Sequence, residues 1–587
     1  MLLKRQGGSE MTGAQILVDS LKKEGVDVIF GYPGGSVIPV FDALSHTKEI
    51  NVILTRHEQG AAHAADGYAR ATGKVGVCIV TSGPGATNTI TGIATAKMDS
   101  IPIIIISGQV QTKAIGFDAF QEVNMAGLAM PICKHNFLVK KIDELPLIIK
   151  EAFHIARSGR PGPVSIDLPV DITIASLRNY NYPKTTSLPG YKPTIKANPH
   201  QIKKLVEAIN HAQRPLIYGG GGIIGSGASQ EVLNLIEKTK IPIVITLMGL
   251  GSVPSDHRLF LGMPGMHGKP SANYAMNDCD LLIALGARFD DRVTCNLNTF
   301  AKRAKIAHVD IDPAEIGKNV KTDISVIGDL KNVITTMMPL LKPGKWNEWN
   351  RKTDALKKKY TLKYNQKQNE EILPQYVIDR ISHLVDTDTI IATDVGQHQM
   401  WTALFFNHRK PRSLLTSGGL GTMGFGLPAA MGASIAYPER TVISISGDGS
   451  IQMNIQELAT CAINKIPVKI AVLNNSYLGM VRQWQELFWK GNYAKTCLKQ
   501  GPDCPKNCSG PRKNCPYVYR PNLVKVAEAN GVKGLRTEKP SEVDSVLEEG
   551  LKTRGPVLME FMVKPLENVY PMVPPGKSID ELILGKD

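Results

Sequence analysis

The segment Gly447-Asp448-Gly449-Ser450 and the later pair Asn474-Asn475 carry side chains that could bind a metal ion and a diphosphate. Asp448 comes just after the β-branched run 442–446, and Asn475 comes just after the next run, 467–473. A helix is predicted between the runs, since residues 454–464 place apolar side chains at helical spacing. Parallel strands joined by a crossover helix bring both residues to one sheet edge. Carboxylate and amide oxygens suit Mg²⁺, and the glycines let a phosphate approach the backbone.

A second segment, Arg56-His57-Glu58-Gln59, follows the predicted strand 51–54 and opens an Ala-rich helix. Taken alone, Glu58 is also explained as an acidic residue that stabilises the positive end of a helix dipole. The GDG and NN motifs together, however, resemble those of thiamine-diphosphate enzymes. That cofactor needs a carboxyl group hydrogen-bonded to N1′ of its aminopyrimidine, which favours the imino tautomer. Glu58 is the predicted source of this carboxyl.

Bulk composition narrows the class of protein. The chain has 587 residues, 43% hydrophobic content and 6% aromatic content, as expected for several α/β domains in one chain. No run reaches the roughly 18–20 apolar residues that span a membrane, and the N-terminus lacks the apolar core of a signal peptide. We therefore expect a cytoplasmic protein with no membrane partner. The net charge is +15, but Lys and Arg are spread along the chain, which argues against nucleic-acid binding.

Alternation of short apolar runs with helical segments predicts an α/β protein with three doubly wound parallel-sheet domains. We predict domains at 1–185, 200–342 and 372–563, followed by a tail at 564–587 that could cover the active site. A Pro-rich joint separates the first two domains. The charged stretch 345–371, which contains Lys357-Lys358-Lys359, is predicted to be a solvated helical linker.

Over essentially its whole length the chain resembles the catalytic subunits of acetohydroxyacid synthases. The segments that carry the resemblance are 30–35, 56–68, 81–88, 118–122, 286–293, 394–400 and 473–485. The resemblance implies decarboxylation of pyruvate and transfer of its two-carbon unit to a second pyruvate or to 2-oxobutyrate, in branched-chain amino acid biosynthesis. It also implies thiamine diphosphate, Mg²⁺ and FAD as cofactors, the last without a redox role. The implied assembly is a homodimer or homotetramer, in which each active site combines residues of two subunits. A regulatory small subunit is implied as a further partner.

The resemblance assigns residues to each cofactor. Those implied for thiamine diphosphate are Tyr32, Pro33, Pro84, Asn88, Gly396, Gln397, His398, Gln399, Gly421, Met423, Gly447, Gly449, Ser450, Gly479 and Met480. Those implied for FAD are Arg160, Gly220, Gly221, Gly222, Met266, His267, Gly286, Arg288, Asp290, Arg292, Asp310, Ile311 and Asp329. Without the resemblance, residues 288–292 are better explained as a surface salt-bridge cluster, and the glycines at 220–225 form only a weak nucleotide-binding motif.

Further roles are implied for single side chains. Gln121 would hydrogen-bond the substrate or its developing oxyanion, and Phe120 would pack on the donor's methyl group. Met423 would hold thiamine in a bent shape, although a lone Met is more often a core residue. Trp484 would shape the acceptor pocket, whereas by itself it would be taken as a core aromatic. The carbonyl oxygen of Tyr477 would join Asp448 and Asn475 as a Mg²⁺ ligand.

Four cysteines, Cys497, Cys504, Cys508 and Cys515, lie in one Pro- and Lys-rich segment that has no counterpart in the family pattern. Their spacing matches no standard zinc finger. Two alternatives remain: a second metal site holding Zn²⁺ or an iron–sulfur cluster, or free and redox-sensitive thiols.

The chain departs from the family at two further positions. The family commonly has Pro where Gln111 stands, near the channel mouth, and Lys where Val170 stands. We expect altered inhibitor and anion handling but the same reaction type. The main alternative function is another thiamine enzyme, such as a pyruvate oxidase or a 2-oxo acid decarboxylase. A glyoxylate carboligase is disfavoured because that enzyme lacks the glutamate found here at Glu58. A metal-cluster or nucleic-acid-binding protein on an inactive thiamine-enzyme scaffold is disfavoured by the intact Glu58, Asp448 and Asn475.

Overall fold

A computed structural model of the chain describes residues 10–505, 508, 515 and 520–585. Within them lie three parallel sheets, of six, five and six strands, and a short antiparallel pair, Met11–Thr12 with Ser176–Leu177. This confirms the predicted fold class of three parallel-sheet α/β domains. No helix within the described residues is both long enough and apolar enough to cross a membrane.

The chain divides into two compact units. The first comprises residues 1–192, 419–437 and 454–466. Its sheet contains, from edge to edge, Asn51–Leu54, Val28–Tyr32, Gly76–Val80, Ile103–Gln109, Val164–Pro169 and His135–Leu138. Its longer helices are Gly13–Lys23, Ile38–Ser45, Glu58–Thr72, Ile90–Asp99, Leu145–Arg157 and Gly426–Ala436, and shorter ones are Pro84–Thr87, Met125–Ala129, Val170–Ile174 and Glu457–Ile463.

Two helices of this unit cross at glycines. On the helix Glu58–Thr72, a methyl group placed on Gly67 would overlap the carbonyl of Ala429 on the helix Gly426–Ala436. In return, a methyl group on Gly432 would overlap the carbonyl of Ala64. The small residues therefore let the backbones touch, and this contact supports the helix that begins at Glu58.

The Gly67→Ala variant should consequently lose stability. Overpacking a close contact typically costs about 1–3 kcal/mol, so the melting temperature of the cofactor-free protein should fall. Gly225→Ala is the matched control, because a methyl group there meets nothing within 4 Å. If both variants melt with the parent chain in a thermal unfolding experiment, the close crossing is absent in solution.

The second unit comprises residues 193–418, 438–453 and 467–587. Its five-stranded sheet contains, from edge to edge, Ile243–Ile245, Pro215–Gly219, Leu281–Leu285, Lys305–Asp310 and Ile324–Ile327. Helices in this part of the chain are Pro199–His211, Gly222–Gly225, Ser229–Thr239, Pro270–Asp278, Asp291–Thr294, Leu330–Met337 and Asn347–Lys359.

The six-stranded sheet of the second unit contains, from edge to edge, Leu414–Leu415, Ile390–Thr393, Val442–Gly447, Lys469–Asn474, Val557–Met562 and Lys533–Thr537. Helices in this region are Pro374–Leu384, Gln397–Phe405, Asp448–Ile451, Gly479–Phe488, Leu523–Ala529 and Val543–Lys552. Both six-stranded sheets have the same strand order when each is numbered along the chain: second, first, third, fourth, sixth, fifth.

The predicted helical linker at 345–371 is only partly correct. The helix ends at Lys359, and residues 361–367 have no regular structure. The lysine cluster is not fully solvated either, since Lys357 Nζ donates to the carbonyls of His257 and Arg258, each at 3.2 Å. Partial burial correspondingly lowers the pKa of Lys357.

Candidate functional site

The predicted metal and diphosphate residues lie in the six-stranded sheet of the second unit, called the third sheet below. They are at the point where its strand order reverses. Ile390–Thr393 is flanked by the strand that follows it in sequence on one side and by Val442–Gly447 on the other. The loops after these two strands leave the carboxyl edge in opposite directions, which creates a crevice in open α/β sheets. They carry the predicted residues Gly396, Gln397, His398 and Gln399, together with Gly447, Asp448, Gly449 and Ser450.

Asp448 and Asn475 meet at this edge, as predicted. Asp448 is 5% exposed and begins a short helix, while Asn475 follows the adjacent strand Lys469–Asn474. Burial raises the pKa of Asp448 to about 7, although the backbone N–H groups of Asn475 and Ser476 favour its charged form. Since a cation would offset that burial, the pair suits a positively charged ligand.

Close backbone contacts surround this pair. A Cβ on Gly479 would lie 2.6 Å from Asn475 Nδ2 and would overlap Gln397 Oε1. Asn475 Nδ2 itself donates to Gln397 Oε1 at 3.2 Å. A Cβ on Gly447 would lie 3.0 Å from His398 Nδ1. An added side chain would therefore clash at Gly479 and be tightly packed at Gly447, and the predicted residues of three separate loops form one polar cluster.

Two buried atoms in this cluster have no hydrogen-bond partner, Asp448 Oδ1 and His398 Nε2. Burial lowers the pKa of His398 to about 3, so the imidazole is neutral at physiological pH. Buried polar atoms normally find partners, and an unsatisfied pair at a sheet's carboxyl edge is the feature expected of a ligand site. The donor set fits a magnesium ion with a diphosphate: a carboxylate, an amide and glycine backbone.

Glu58 begins the helix Glu58–Thr72 in the first unit, as the sequence predicts. The helix is capped by His57, whose Nδ1 accepts the N–H of Gln59 at 3.1 Å. The carboxylate of Glu58 is half-buried, and its Oε2 accepts Nδ2 of Asn88 at 2.9 Å. Asn88 ends the short helix Pro84–Thr87. Three predicted residues, Glu58, Pro84 and Asn88, are thus brought to neighbouring positions.

The predicted substrate residues of the first unit lie on an exposed loop. Gln121 has a left-handed backbone, with φ of 60°, and its Cα lies 3.0 Å from where a Cβ on Gly83 would be. Phe120 is 89% exposed and nearby Phe117 is 80% exposed. Large apolar side chains exposed this far are characteristic of a surface that binds something.

The remaining predicted thiamine residues of this unit lie apart in sequence. Tyr32 ends the strand Val28–Tyr32 and is partly exposed, with Pro33 after it. Gly421 has φ of 72° and lies in the loop that leads to Met423, which is half-buried. The intervening Thr422 shares a hydrogen bond of 2.7 Å with Thr95, so the loop before the helix Gly426–Ala436 is fixed.

The predicted FAD residues of the second unit line the carboxyl edge of the five-stranded sheet. Here too the strand order reverses, between Pro215–Gly219 and Leu281–Leu285. Gly286 has φ of 57°, and a Cβ on it would lie 2.6 Å from Cα of Gly222. The residues that follow successive strands at this edge are Gly220, Gly221, Gly222, Gly286, Arg288, Asp310, Ile311 and Asp329.

Side chains at this edge are arranged as caps more than as a salt-bridge cluster. Asp290 caps the helix Asp291–Thr294 by accepting the N–H of Arg292 at 3.0 Å. The Arg292–Asp291 ion pair is long, at 3.9 Å, and joins two largely exposed side chains. Exposed ion pairs of this kind contribute little to the stability of the fold. Burial raises the pKa of Asp290, and the charge of Arg288 opposes this.

Met266 and His267 join the same edge. The N–H of Met266 donates to the carbonyl of Arg292 at 2.7 Å, and His267 is buried. Asp329 caps the helix Leu330–Met337 by accepting from the N–H of Asn332. Arg160 belongs to the first unit, where its Nε donates to Ser100 Oγ at 2.8 Å.

Comparison with protein families matches three domain models along the chain. The N-terminal thiamine pyrophosphate (TPP) binding domain matches residues 11–128, the central domain of thiamine pyrophosphate enzymes matches 202–337, and the C-terminal TPP binding domain matches 394–561. Among curated proteins, acetolactate synthase of Mycobacterium bovis is 48% identical over 98% of this chain and 91% of its own length. The chain belongs to the acetolactate synthase family.

Other members of the acetolactate synthase family are also similar to the chain over most of their lengths. The probable acetolactate synthase large subunit of Methanocaldococcus jannaschii is 49% identical over 98% of this chain and 95% of its own length. The acetolactate synthase isozyme 3 large subunit of Escherichia coli is 44% identical over 98% of this chain and 99% of its own length.

The second metal site at the four cysteines stays a prediction for this member of the acetolactate synthase family. All four cysteines are among the described residues and are half-buried, with no disulfide between them. Across the described part of the chain, no three Cys, His, Asp or Glu side chains are grouped so as to hold a metal.

The start of the four-cysteine segment, residues 496–498, forms backbone hydrogen bonds with residues 476–478, beside the candidate metal residues. Cys497 forms an antiparallel bridge with Tyr477, whose side chain is buried. The N–H of Leu478 donates to the carbonyl of Thr496, and that of Leu498 donates to the carbonyl of Ser476, each at 2.9 Å. Cys504 Sγ accepts the N–H of Gly501 at 3.3 Å.

The helix Gly479–Phe488 carries the predicted residues Met480 and Trp484. Trp484 is half-buried and packs edge-on against Phe488, with ring centroids 5.6 Å apart. Gln483 on this helix was missed by the sequence analysis. Its Nε2 donates to the carbonyl of Val569 at 3.0 Å, and its Oε1 accepts from Gln397 Nε2 at 2.8 Å. A polar residue on the buried side of an amphipathic helix is the signal that would have revealed it.

Proposed function

We propose that this chain is the catalytic subunit of an acetolactate synthase, which decarboxylates pyruvate and ligates the two-carbon unit to pyruvate or 2-oxobutyrate. The observation that carries the proposal is the buried cluster at the switch point of the third sheet. There Asp448 and Asn475, both predicted from the sequence, lie together with an unpartnered carboxylate oxygen. The full-length similarity to acetolactate synthases supports the same reaction.

The polar cluster would hold the diphosphate end of the cofactor. Asp448, Asn475 and the carbonyl oxygen of Tyr477 would bind Mg²⁺, and the glycines at 447, 449 and 479 would let phosphate oxygens approach the backbone. His398 and Gln397 would face the same oxygens. Thiamine diphosphate supplies, when bound, the nucleophilic carbon and electron sink that decarboxylation of a 2-oxo acid requires.

Glu58 would hold or release a proton at N1′ of the aminopyrimidine. Its hydrogen bond from Asn88 leaves Oε1 available for this contact and fixes the plane of the carboxylate. Gln121 would donate its amide N–H to the substrate's carbonyl oxygen, where negative charge develops. Phe120 would exclude water from the methyl side of the donor, and Met423 would pack against the cofactor.

The five-stranded sheet would bind FAD at its carboxyl edge. The glycines at 220–222 and 286 would let the flavin's pyrophosphate approach the backbone, while Arg288 and Arg292 would offer the charges that bind phosphate. Asp310 and Asp329 would accept hydrogen bonds from hydroxyl groups. Because joining two oxo acids involves no net redox change, we propose that FAD has a structural role.

The Gly286→Ala variant should bind flavin at least about tenfold more weakly, since left-handed backbone strain in a non-glycine residue costs on the order of 1–3 kcal/mol. Overlap of the added methyl group with Gly222 increases the cost. Gly317→Ala is the control, because Gly317 shares the positive φ but has open space around it. The ratio of flavin to protein absorbance after desalting measures the effect, and equal ratios in both variants would contradict the assignment.

The Trp484→Leu variant should lose its preference for 2-oxobutyrate over pyruvate as acceptor, by up to about tenfold. Contact with one extra methylene discriminates between substrates by roughly 10–200-fold at best, and the indole would supply much of that contact. Trp489→Leu serves as control because Trp489 is 68% exposed at the end of the same helix. The product ratio in a competition assay gives the result; an unchanged ratio would remove Trp484 from the acceptor pocket.

The active unit is proposed to be a homodimer or a homotetramer. The exposed Phe117 and Phe120 support a surface that a second copy would cover. In such an assembly Glu58 of one subunit would serve the cofactor held by Asp448 of the other. Relatives are named large subunits, which supports a regulatory small subunit as a further partner.

A different thiamine enzyme remains the second candidate. A pyruvate oxidase would reduce its flavin and form hydrogen peroxide, and a decarboxylase would release acetaldehyde. Incubating the protein with pyruvate and all three cofactors separates these outcomes, since only the proposed reaction yields acetolactate while the flavin stays oxidised. Bleaching of the flavin absorbance, or acetaldehyde as the main product, would favour the alternatives.

A further inference from the structure

A fully buried carboxylate lies behind the turn that leads into Glu58. Glu457 begins the helix Glu457–Ile463 and is 0% exposed. Its two oxygens accept the backbone N–H of Arg56 at 3.0 and 3.2 Å. The hydroxyl of Thr460 donates to Oε2 at 2.7 Å. Burial raises the pKa of Glu457, and these N–H and O–H donors, together with the N–H of His57, act against that rise.

The hydrogen bond from Arg56 N–H to Glu457 lies where the chain leaves the six-stranded sheet of the first unit. The N–H of Thr55 still donates to the carbonyl of Gly31, in line with the sheet. The next N–H, that of Arg56, turns to Glu457 instead. Two residues later the helix begins at Glu58. A single carboxylate therefore fixes the direction in which the chain turns from strand to helix.

The same carboxylate of Glu457 also contacts the chain two residues after Glu58, at Gly60. A Cβ on Gly60 would lie 2.5 Å from Glu457 Oε1, so this oxygen packs directly on the helix backbone. Glu457 thus contacts the chain at residues 56 and 60, on both sides of Glu58. A larger residue at position 60 would displace it.

We propose that Glu457 is a positioning residue for Glu58, fixing the backbone so that the Glu58 carboxyl faces the aminopyrimidine. The inference rests on the role given to Glu58 in the proposed function. Glu457 acts through the backbone of Arg56 and Gly60 and is separate from the Asn88 contact that orients the carboxylate itself. A misplacement of about 1 Å can cost on the order of 100-fold in rate, so small movements of this turn should matter.

The test compares Glu457→Gln with Thr460→Val. The first keeps the side-chain shape but weakens the acceptor for Arg56, and the second removes only the hydroxyl that supports the same carboxylate. For Glu457→Gln we expect kcat for acetolactate to fall by roughly 10- to 100-fold. The KM for pyruvate should stay near that of the parent. Thr460→Val should keep kcat close to the parent value.

Amide hydrogen exchange of the cofactor-free protein supplies a second readout. Peptides covering residues 55–60 should exchange faster in Glu457→Gln, while the melting temperature and exchange elsewhere stay unchanged. Normal kcat together with normal protection of these peptides would overturn the positioning role. So would an equal loss of kcat in both variants that follows a fall in melting temperature. If the parent itself forms no acetolactate, the proposed function fails, and the exchange result still reports on the hydrogen bond.

Discussion

Replacing Glu58 with Gln should lower the rate of acetolactate formation by at least about 100-fold, in the range typical for loss of a general acid–base group. Glutamine keeps the size of the side chain and can still accept the hydrogen bond from Asn88. It cannot share a proton with N1′ of the aminopyrimidine. The fall should therefore appear in kcat, with little change in the melting temperature.

Glu49→Gln is the matched control for this substitution. Glu49 is an exposed surface carboxylate that forms an ion pair with Lys22 at 2.7 Å. Its variant should keep the parent rate. If Glu58→Gln also keeps the parent rate, within about threefold, Glu58 is not the acid–base residue proposed here.

Mixing two inactive chains tests whether one site uses two subunits. Co-expressed chains carrying Glu58→Gln and Asp448→Asn should recover about a quarter of the parent activity, because half of the dimers are mixed and each contains one intact site. Sites built from one chain would recover none. The amount of each chain in the purified mixture is fixed by mass spectrometry.

Replacing Asp448 with Asn should have the second large effect. The variant loses the only negatively charged ligand among Asp448, Asn475 and Tyr477, so Mg²⁺ affinity should fall by at least about 100-fold, the upper end of what supporting residues around a metal contribute. Activity at low Mg²⁺ should disappear and return only in part at high concentration. Titration of activity with Mg²⁺ measures the shift.

The same variant should not destabilise the cofactor-free protein. The pKa of Asp448 is raised from 3.8 to about 7 by burial, so its charged form is the one that the fold disfavours. The contribution of this group to stability is fully present below about pH 4 and is lost as the pH rises through 7. Asparagine does not titrate, so the variant does not lose stability in this way. Its melting temperature relative to the parent should therefore rise between pH 5 and 8. A lower relative melting temperature at pH 8 would contradict the proposed burial.

Much of the fold could be predicted from the sequence because buried parallel strands are continuous apolar runs. The strands Ile103–Gln109, Val442–Gly447 and Lys469–Asn474 are fully or almost fully buried, and their composition alone marks them. The edge strand His135–Leu138 was missed, since it is half-exposed and its polar residues break the pattern. In the charged stretch 345–371, composition could not show that the helix would stop at Lys359.

The candidate site was predictable where residues follow strands at a switch point. Asp448, Asn475 and Gly447 could be placed together because carboxyl ends of parallel strands share one edge, whereas His398 was implied only by the family resemblance. Glu457 and Gln483 could not be found this way. Each acts by hydrogen bonds to backbone far away in sequence, on Arg56 and Val569, and only the tertiary structure brings those groups together.

For the four-cysteine segment, the sequence left a metal site and free thiols as alternatives, and the metal site stays a prediction. Its sequence suggested a metal site through composition, yet the described sulfurs are not grouped as ligands. What the structure adds is the backbone pairing of Cys497 with Tyr477, beside Asn475.

Product identification with labelled pyruvate shows directly whether the protein joins two 2-oxo acids. The purified protein is incubated with thiamine diphosphate, Mg²⁺, FAD, ¹³C-labelled pyruvate and unlabelled 2-oxobutyrate, and the products are identified by NMR. We expect 2-acetolactate and 2-aceto-2-hydroxybutyrate, the latter labelled only in its transferred two-carbon unit, with the flavin still oxidised. Labelled acetaldehyde or acetyl phosphate in place of these acids would show that the protein is not an acetolactate synthase.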